Sequence, residues 1–380
     1  RLALLVVAEV ESAALTALVL AFASVLWPYA KFGFNQPLAC LALLAAVRHT
    51  LAGARQSSQR EFMIAGAWLG VALLTRHELI LAPVPICLWL IVDGRSMRGG
   101  QLRRVAAIAV GPVVALGVWM TYNVARFGNP LNAGQDAGPG YGSPLVDGLL
   151  GLLISPGASV FLYSPFAIAG AVGWVALARH IDRRAAWLCV GFCTWVLLFY
   201  ANLGNWLAGR SYGSRYLVIL LPYFALGFAA LLARMSPRRR RATALAAFLV
   251  GAALQLPGVL IDYAKVSQAV GASRAAYTTE ERQWHWEASP LVLNTRALIT
   301  ALPDNLAYVT GRRTPPAVPT ESSDTDRTFS QQFRFSLDLW WLYLYYLHVL
   351  PRWIVGVVVT AFGGIAALAA GRLRRAMPIY

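Results

Sequence analysis

The sequence predicts an all-α fold, a polytopic transmembrane bundle of about ten helices with irregular outward loops. Three observations predict it. Of the 380 residues, 58% are hydrophobic and 13% charged, half the share of roughly 25% that a soluble chain carries. Mean hydropathy is +0.56, and apolar runs long enough to cross roughly 30 Å of hydrocarbon recur along most of the chain. Arginine crowds alternate connections between those runs and is sparse in the others.

Apolar runs set against turn signals place spans at 13–30, 36–50, 62–75, 78–92, 105–122, 159–178, 185–202, 216–233, 242–261 and 353–371. Residues 1–8 read as the end of a preceding helix, with Glu9, Glu11 and Ser12 as a turn and helix start at the interface. Because the chain opens at Arg1, with no Met and no signal peptide, it reads as an N-terminally truncated fragment. Eighteen basic residues fall in one set of short connections: Arg48, Arg55 and Arg60, then Arg95, Arg98, Arg103 and Arg104, then Arg179, Arg183 and Arg184, then Arg234 and Arg238 to Arg241, and finally Arg372, Arg374 and Arg375. The positive-inside rule assigns that set to the cytoplasm. The opposite short connections hold only Lys31, Arg76, Arg126, Arg210 and Arg215.

Two outward segments are long. Residues 123–158 are rich in Gly and Pro and read as a shaped loop. Residues 262–339 hold nine of the 17 carboxylates and read as a small cap of helix and loop. Trp340, Trp341, Tyr343, Tyr345, Tyr346 and Trp353 then suit a segment at headgroup level before the last crossing. The expected organisation is a core over 1–261, an outward segment over 262–339, and an interfacial stretch, last helix and cytoplasmic tail over 340–380.

The net charge of +16 does not point to nucleic acid, because its placement follows the connections between spans. Cys40, Cys87, Cys189 and Cys193 all lie in apolar runs, so they read as packing residues with no disulfide. No metal-ligand spacing accompanies Cys189 and Cys193.

Chemistry is expected at the outward ends, where charge beside hydrocarbon needs a reason to exist. Arg76-His77-Glu78 is either a solvated hairpin tip or an anion site in which Arg76 binds phosphate and Glu78 orients it or holds a metal. Tyr122 and Arg126, Tyr141, Tyr163, and the run Trp206, Arg210, Tyr212 and Arg215 interleave aromatics with Arg and Gly. Such a mixture suits a ligand that is both sugar and phosphate: rings stack on pyranose faces, Arg pairs with phosphate, and Gly admits close backbone. An aromatic belt with snorkelling Arg is the plainer reading of the same residues.

In order and spacing these stretches resemble the bacterial GT-C type polytopic glycosyltransferases, relatives of the protein O-mannosyltransferases and the aminoarabinose transferases. The resemblance rests on Leu26-Trp27-Pro28-Tyr29-Ala30-Lys31 with Pro37-Leu38, on Leu74-Thr75-Arg76, and on Tyr122-Asn123 with Arg126-Phe127-Gly128 and Pro130-Leu131. Ser155-Pro156-Gly157, Tyr163-Ser164-Pro165, Gly209 with Tyr212-Gly213 and Arg215-Tyr216-Leu217, Ile261-Asp262-Tyr263 and Ser289-Pro290-Leu291 continue it.

The resemblance implies an inverting transferase that takes sugar from a polyprenyl-phosphate-linked donor. It implies a lipid-linked glycan, cell-wall polymer or protein as acceptor, and an outward-facing site in the bacterial plasma membrane. It also implies a carboxylate base in the family's first outward loop, expected upstream of Arg1, which leaves Glu78 as the weak candidate within the chain. Some members use a divalent metal, and relatives carry an acid just before the second outward Pro-Leu. Here Asn35 and Gln36 stand instead, and they bind a divalent cation poorly. The expected substrate-binding set is Arg76, Tyr122, Arg126, Tyr141, Tyr163, Trp206, Arg210, Tyr212 and Arg215, with no metal ligand assigned. The alternatives are a transporter or flippase, which would need polar residues deep in the spans, and a non-catalytic subunit that binds an anionic lipid-linked glycan.

Overall fold

The computed structural model describes residues 1–92, 98–134, 142, 144–204, 206–209, 211–271, 278–315 and 337–376. Every regular element among them is helical. In order they are α1 (Leu2–Val7), α2 (Val10–Phe22), α3 (Leu26–Lys31), α4 (Gln36–Gln56), α5 (Gln59–Thr75), α6 (Pro83–Val92) and α7 (Arg98–Phe127). There follow α8 (Leu145–Ile154), α9 (Val160–Tyr163), α10 (Phe166–His180), α11 (Arg183–Ala201), α12 (Leu221–Ala233) and α13 (Pro237–Leu260). Then come α14 (Tyr263–Gly271), α15 (Thr279–Trp284), α16 (Pro290–Val309), α17 (Trp340–Tyr346) and α18 (Arg352–Ala376). Short 3₁₀ turns occupy His77–Leu81, Arg215–Leu220 and Trp286–Ala288. The chain divides into two compact units, Arg1–Gln255 and Leu256–Tyr380.

Five described helices are long and apolar enough to cross a membrane: Gln36–Gln56, Gly100–Phe127, Arg183–Ala201, Arg215–Ala233 and Pro237–Leu260. Their outward faces are greasy. Val110, Val113, Val114 and Val118 are all more than half exposed on α7, a patch suited to lipid. The chain is an all-α polytopic membrane protein.

Other expected spans are broken, and side chains explain where. Span 13–30 splits because Ser24 Oγ donates to Leu20 O at 2.6 Å and the Val25 N–H leaves the helix for Ser164 Oγ at 3.2 Å. Span 159–178 splits at Ser164-Pro165, and span 78–92 opens with a 3₁₀ turn before Pro83 and Pro85. The 123–158 segment is more than a loop, since α8 lies within it. Gly148 belongs to helix packing: a Cβ there would stand 1.9 Å from Ala201 O.

In the first unit α12 is the central helix, buried along nearly its whole length. It presses against α10 through Gly170, Gly173 and Gly227, where a Cβ on Gly173 would meet Gly227 O at 1.9 Å. Helices α5 and α7 close in the same way through Gly66, Gly70 and Gly111. Without a hydrophobic drive between helices in lipid, such backbone approach supplies the attraction by dispersion. Trp174 stacks on Phe224 at 4.7 Å and donates from Nε1 to Tyr223 O at 2.9 Å, locking the α10–α12 seam.

Side-chain contacts between connections respect the two sets read from the sequence. At the Arg-rich end Arg240 reaches Glu9 at 2.7 Å and Glu11 at 2.9 Å, Arg55 meets Asp182 at 2.5 Å, and His49 meets Glu61 at 2.7 Å. At the Arg-poor end Asn35 Nδ2 donates to Thr75 O at 3.0 Å and Tyr29 Oη to Tyr212 O at 3.4 Å.

In the second unit Ile261, Val266, Ala297 and Ala301 form one small core, and Leu342, Tyr346 and Val355 another. Thr278 and Glu281 form a reciprocal cap on α15, and Ser289 caps α16 ahead of Pro290. The aromatic run is helical as α17, and Trp340 and Trp353 are exposed.

Candidate functional site

Three segments meet at the Arg-poor end of the first unit. The first is the turn into α4, where Phe34 and Asn35 precede Gln36 and Pro37. The second is the end of α5, where Arg76 turns extended (φ −147°, ψ 110°) and releases the chain into the His77–Leu81 turn. The third is the approach to Arg215–Leu220, which breaks at Gly213 with φ +71°. A Cβ on Gly213 would lie 2.5 Å from Tyr163 Cγ, so this residue must be Gly for both conformation and space.

Arg76 is only 8% exposed. Its Nε donates to Glu78 Oε1 at 2.9 Å, and its Nη2 donates to the same oxygen. Gln36 is fully buried, and because a guanidinium can only donate, its amide is assigned with the oxygen toward both cations, accepting from Arg76 Nη1 at 2.6 Å and from Arg215 Nε at 2.8 Å. The Gln36 amide nitrogen donates to Asn35 Oδ1 at 3.2 Å. Aromatic faces complete the setting. The Arg215 guanidinium lies 4.7 Å from the centre of the Phe34 ring, and that of Arg76 5.8 Å from Tyr216. Tyr216 in turn stacks on buried Tyr200 at 4.7 Å and 8°. Two guanidinium groups thus share one neutral acceptor while Glu78 accepts from Arg76 alone, and the cluster carries a net positive charge.

The expected site residues fall into distinct places. Arg76, Glu78 and Arg215 come together in this cluster. Tyr163, Trp206 and Tyr212 are buried, and Tyr163 packs against Gly213 in the approach to Arg215. Tyr163 Oη donates to Pro156 O at 2.9 Å, its ring meets Tyr212 edge-on at 5.2 Å, and Gln255 Nε2 donates to Tyr163 O at 2.6 Å. Trp206 fills the space over Gly151. Tyr122 and Arg126 form an exposed pair at the end of α7, joined at 2.5 Å, with the guanidinium also 5.2 Å from the Phe127 ring. These contacts stay within α7. Tyr141 and Arg210 lie outside the described residues. The weak base candidate Glu78 has its Oε1 taken by Arg76, and His77 Nδ1 is 3.8 Å from its other oxygen.

Gln36 was the residue whose role the sequence did not disclose. The available signal was a long polar side chain in the first turn of an apolar helix, which read only as a poor metal ligand. The geometry explains that chemistry differently. Among the described residues no three His, Cys, Asp or Glu side chains converge. The Gln36 oxygen already faces two guanidinium groups, so this donor set does not fit a divalent cation.

The cluster is cationic and walled by aromatic rings, a chemistry suited to an anionic ligand. Residues 6–124, under a third of the chain, match the family model of dolichyl-phosphate-mannose-protein mannosyltransferases. The matched stretch includes Phe34, Gln36, Arg76 and Glu78. No curated protein and no solved structure matches the chain.

Proposed function

We propose that this protein transfers a sugar from a polyprenyl-phosphate-linked donor on the outer face of the plasma membrane. The acceptor is a lipid-linked glycan, a cell-wall polymer or a protein. The observation that carries the reading is the convergence of Arg76 and Arg215, from distant segments, on one buried neutral amide. In the reaction the bond from the anomeric carbon to the phosphate oxygen breaks as the acceptor hydroxyl oxygen attacks from the opposite face, inverting the centre. The hydroxyl proton passes to a base, and charge grows on the departing polyprenyl phosphate. Arg76 and Arg215 neutralise that charge, with planar donors suited to phosphate oxygens. Glu78 keeps Arg76 aimed.

Arg215→Ala and Arg76→Ala in the full-length protein are each expected to lower kcat/KM for sugar transfer by about a hundredfold or more, with the thermal midpoint retained in Arg215→Ala and lowered in Arg76→Ala, where Glu78 loses its partner. Turnover equal to wild type in either variant would remove that arginine from the site. Movement of lipid-linked sugar across vesicles without any transfer product would favour a transporter.

A further inference from the structure

We infer that Gln36 is the positioning residue that sets the charge of this cluster, so that it binds lipid phosphate through guanidinium groups alone, without a bridging divalent cation. The inference rests on the phosphate-binding reading of Arg76 and Arg215. A buried acceptor between two cations can be a carboxylate or an amide, and the two do opposite things. A carboxylate would form ion pairs with both guanidinium groups and cancel the charge that an incoming phosphate needs. The Gln36 amide accepts from both at 2.6 and 2.8 Å while cancelling nothing.

The surroundings follow the same logic. Asn35 accepts the Gln36 amide nitrogen, so the group that backs the bridge is also neutral. Phe34 and Tyr216 cover guanidinium faces with rings, which orient Arg215 and Arg76 without charge. Glu78 is the only carboxylate described in contact with either guanidinium, and it engages Arg76. The edges of Arg215 other than Nε are then those that meet substrate. A divalent ion brought to this place would face two positive groups and an oxygen already occupied.

The test is binding of a polyprenyl monophosphate to the purified full-length protein in mild detergent. Gln36→Glu is expected to weaken binding at least about tenfold, while the thermal midpoint holds or rises because buried Arg76 and half-buried Arg215 gain an ionic partner. Those opposite signs separate charge-setting from packing, since a packing role would lower midpoint and affinity together. Equal affinity of Gln36→Glu and wild type would overturn the inference. Should that variant fail to fold, the wild-type protein decides: affinity unchanged between EDTA and excess Mg²⁺ supports it, and binding that requires Mg²⁺ overturns it. A wild-type protein that binds no polyprenyl phosphate under either condition refutes the donor reading itself.

Discussion

Asp182 shows how one carboxylate at the Arg-rich end can serve two elements. Its Oδ1 accepts from the Arg184 and Ala185 N–H groups at 3.0 Å each, capping α11, while Oδ2 faces Arg55 at 2.5 Å. Burial alone would raise its pKa; the Ala185 N–H and the Arg55 guanidinium outweigh it and hold the carboxyl below its ordinary 3.8. Because the folded-state value is depressed, the stabilisation is complete above the unfolded value near 3.8 and is lost as pH falls through the folded value. Thermal midpoints measured from pH 6 down to pH 3 are therefore expected to drop less in Asp182→Asn than in wild type, from a lower starting point. Identical pH profiles would show that the pair contributes nothing. At this scale Arg76 and Arg215 stand out in the sequence, because charge beside an apolar run is conspicuous. Gln36 does not, since an uncharged side chain discloses its purpose only when its neighbours from α5 and the Arg215 segment are in place.

Helix packing makes a sharper demand on glycine than composition suggests. Gly173 of α10 faces Gly227 O so closely that a Cβ would approach to 1.9 Å, whereas Gly191 of α11 has nothing within 4 Å of its Cβ position. Gly173→Ala is expected to destabilise by about 1–3 kcal/mol through overpacking. Gly191→Ala is expected to stabilise by roughly 0.5–1 kcal/mol by removing backbone entropy from a helix interior. Thermal unfolding in detergent checks both, and similar effects at the two sites would refute the seam. Element boundaries were not legible at Pro83 and Pro165, which fall inside the expected spans 78–92 and 159–178 because both runs stay apolar through them. Nor were they legible in 123–158, where Gly148 and Gly151 resemble loop residues yet let α8 lie against Ala201 and Trp206. Close packing and chain reversal use the same residue, and only the partner tells them apart.

Across the whole molecule, the two sets of connections imply a fixed orientation. Lys31→Cys is expected to react with a membrane-impermeant maleimide in intact cells, and Arg239→Cys only after lysis. The native thiols Cys40, Cys189 and Cys193 are buried and should contribute little background. Labelling of both positions from outside would break the alternation, and the reverse pattern would invert the protein. The ion pairs of Arg240 with Glu9 and Glu11, and of Arg55 with Asp182, agree with that alternation, because each joins connections placed on the same side. The bundle was legible at this scale because lipid demands long apolar runs. The finer count was not, since Ser24 and Pro165 interrupt helices that remain apolar throughout. The α10–α12 seam also sets a schedule for biosynthesis. Its two faces are separated by all of α11, so at about 5–20 residues per second the earlier face waits several seconds in the membrane for its partner. Lipid tails tolerate a bare glycine groove during that interval, because nothing polar is exposed and no water is there to drive it into a wrong embrace.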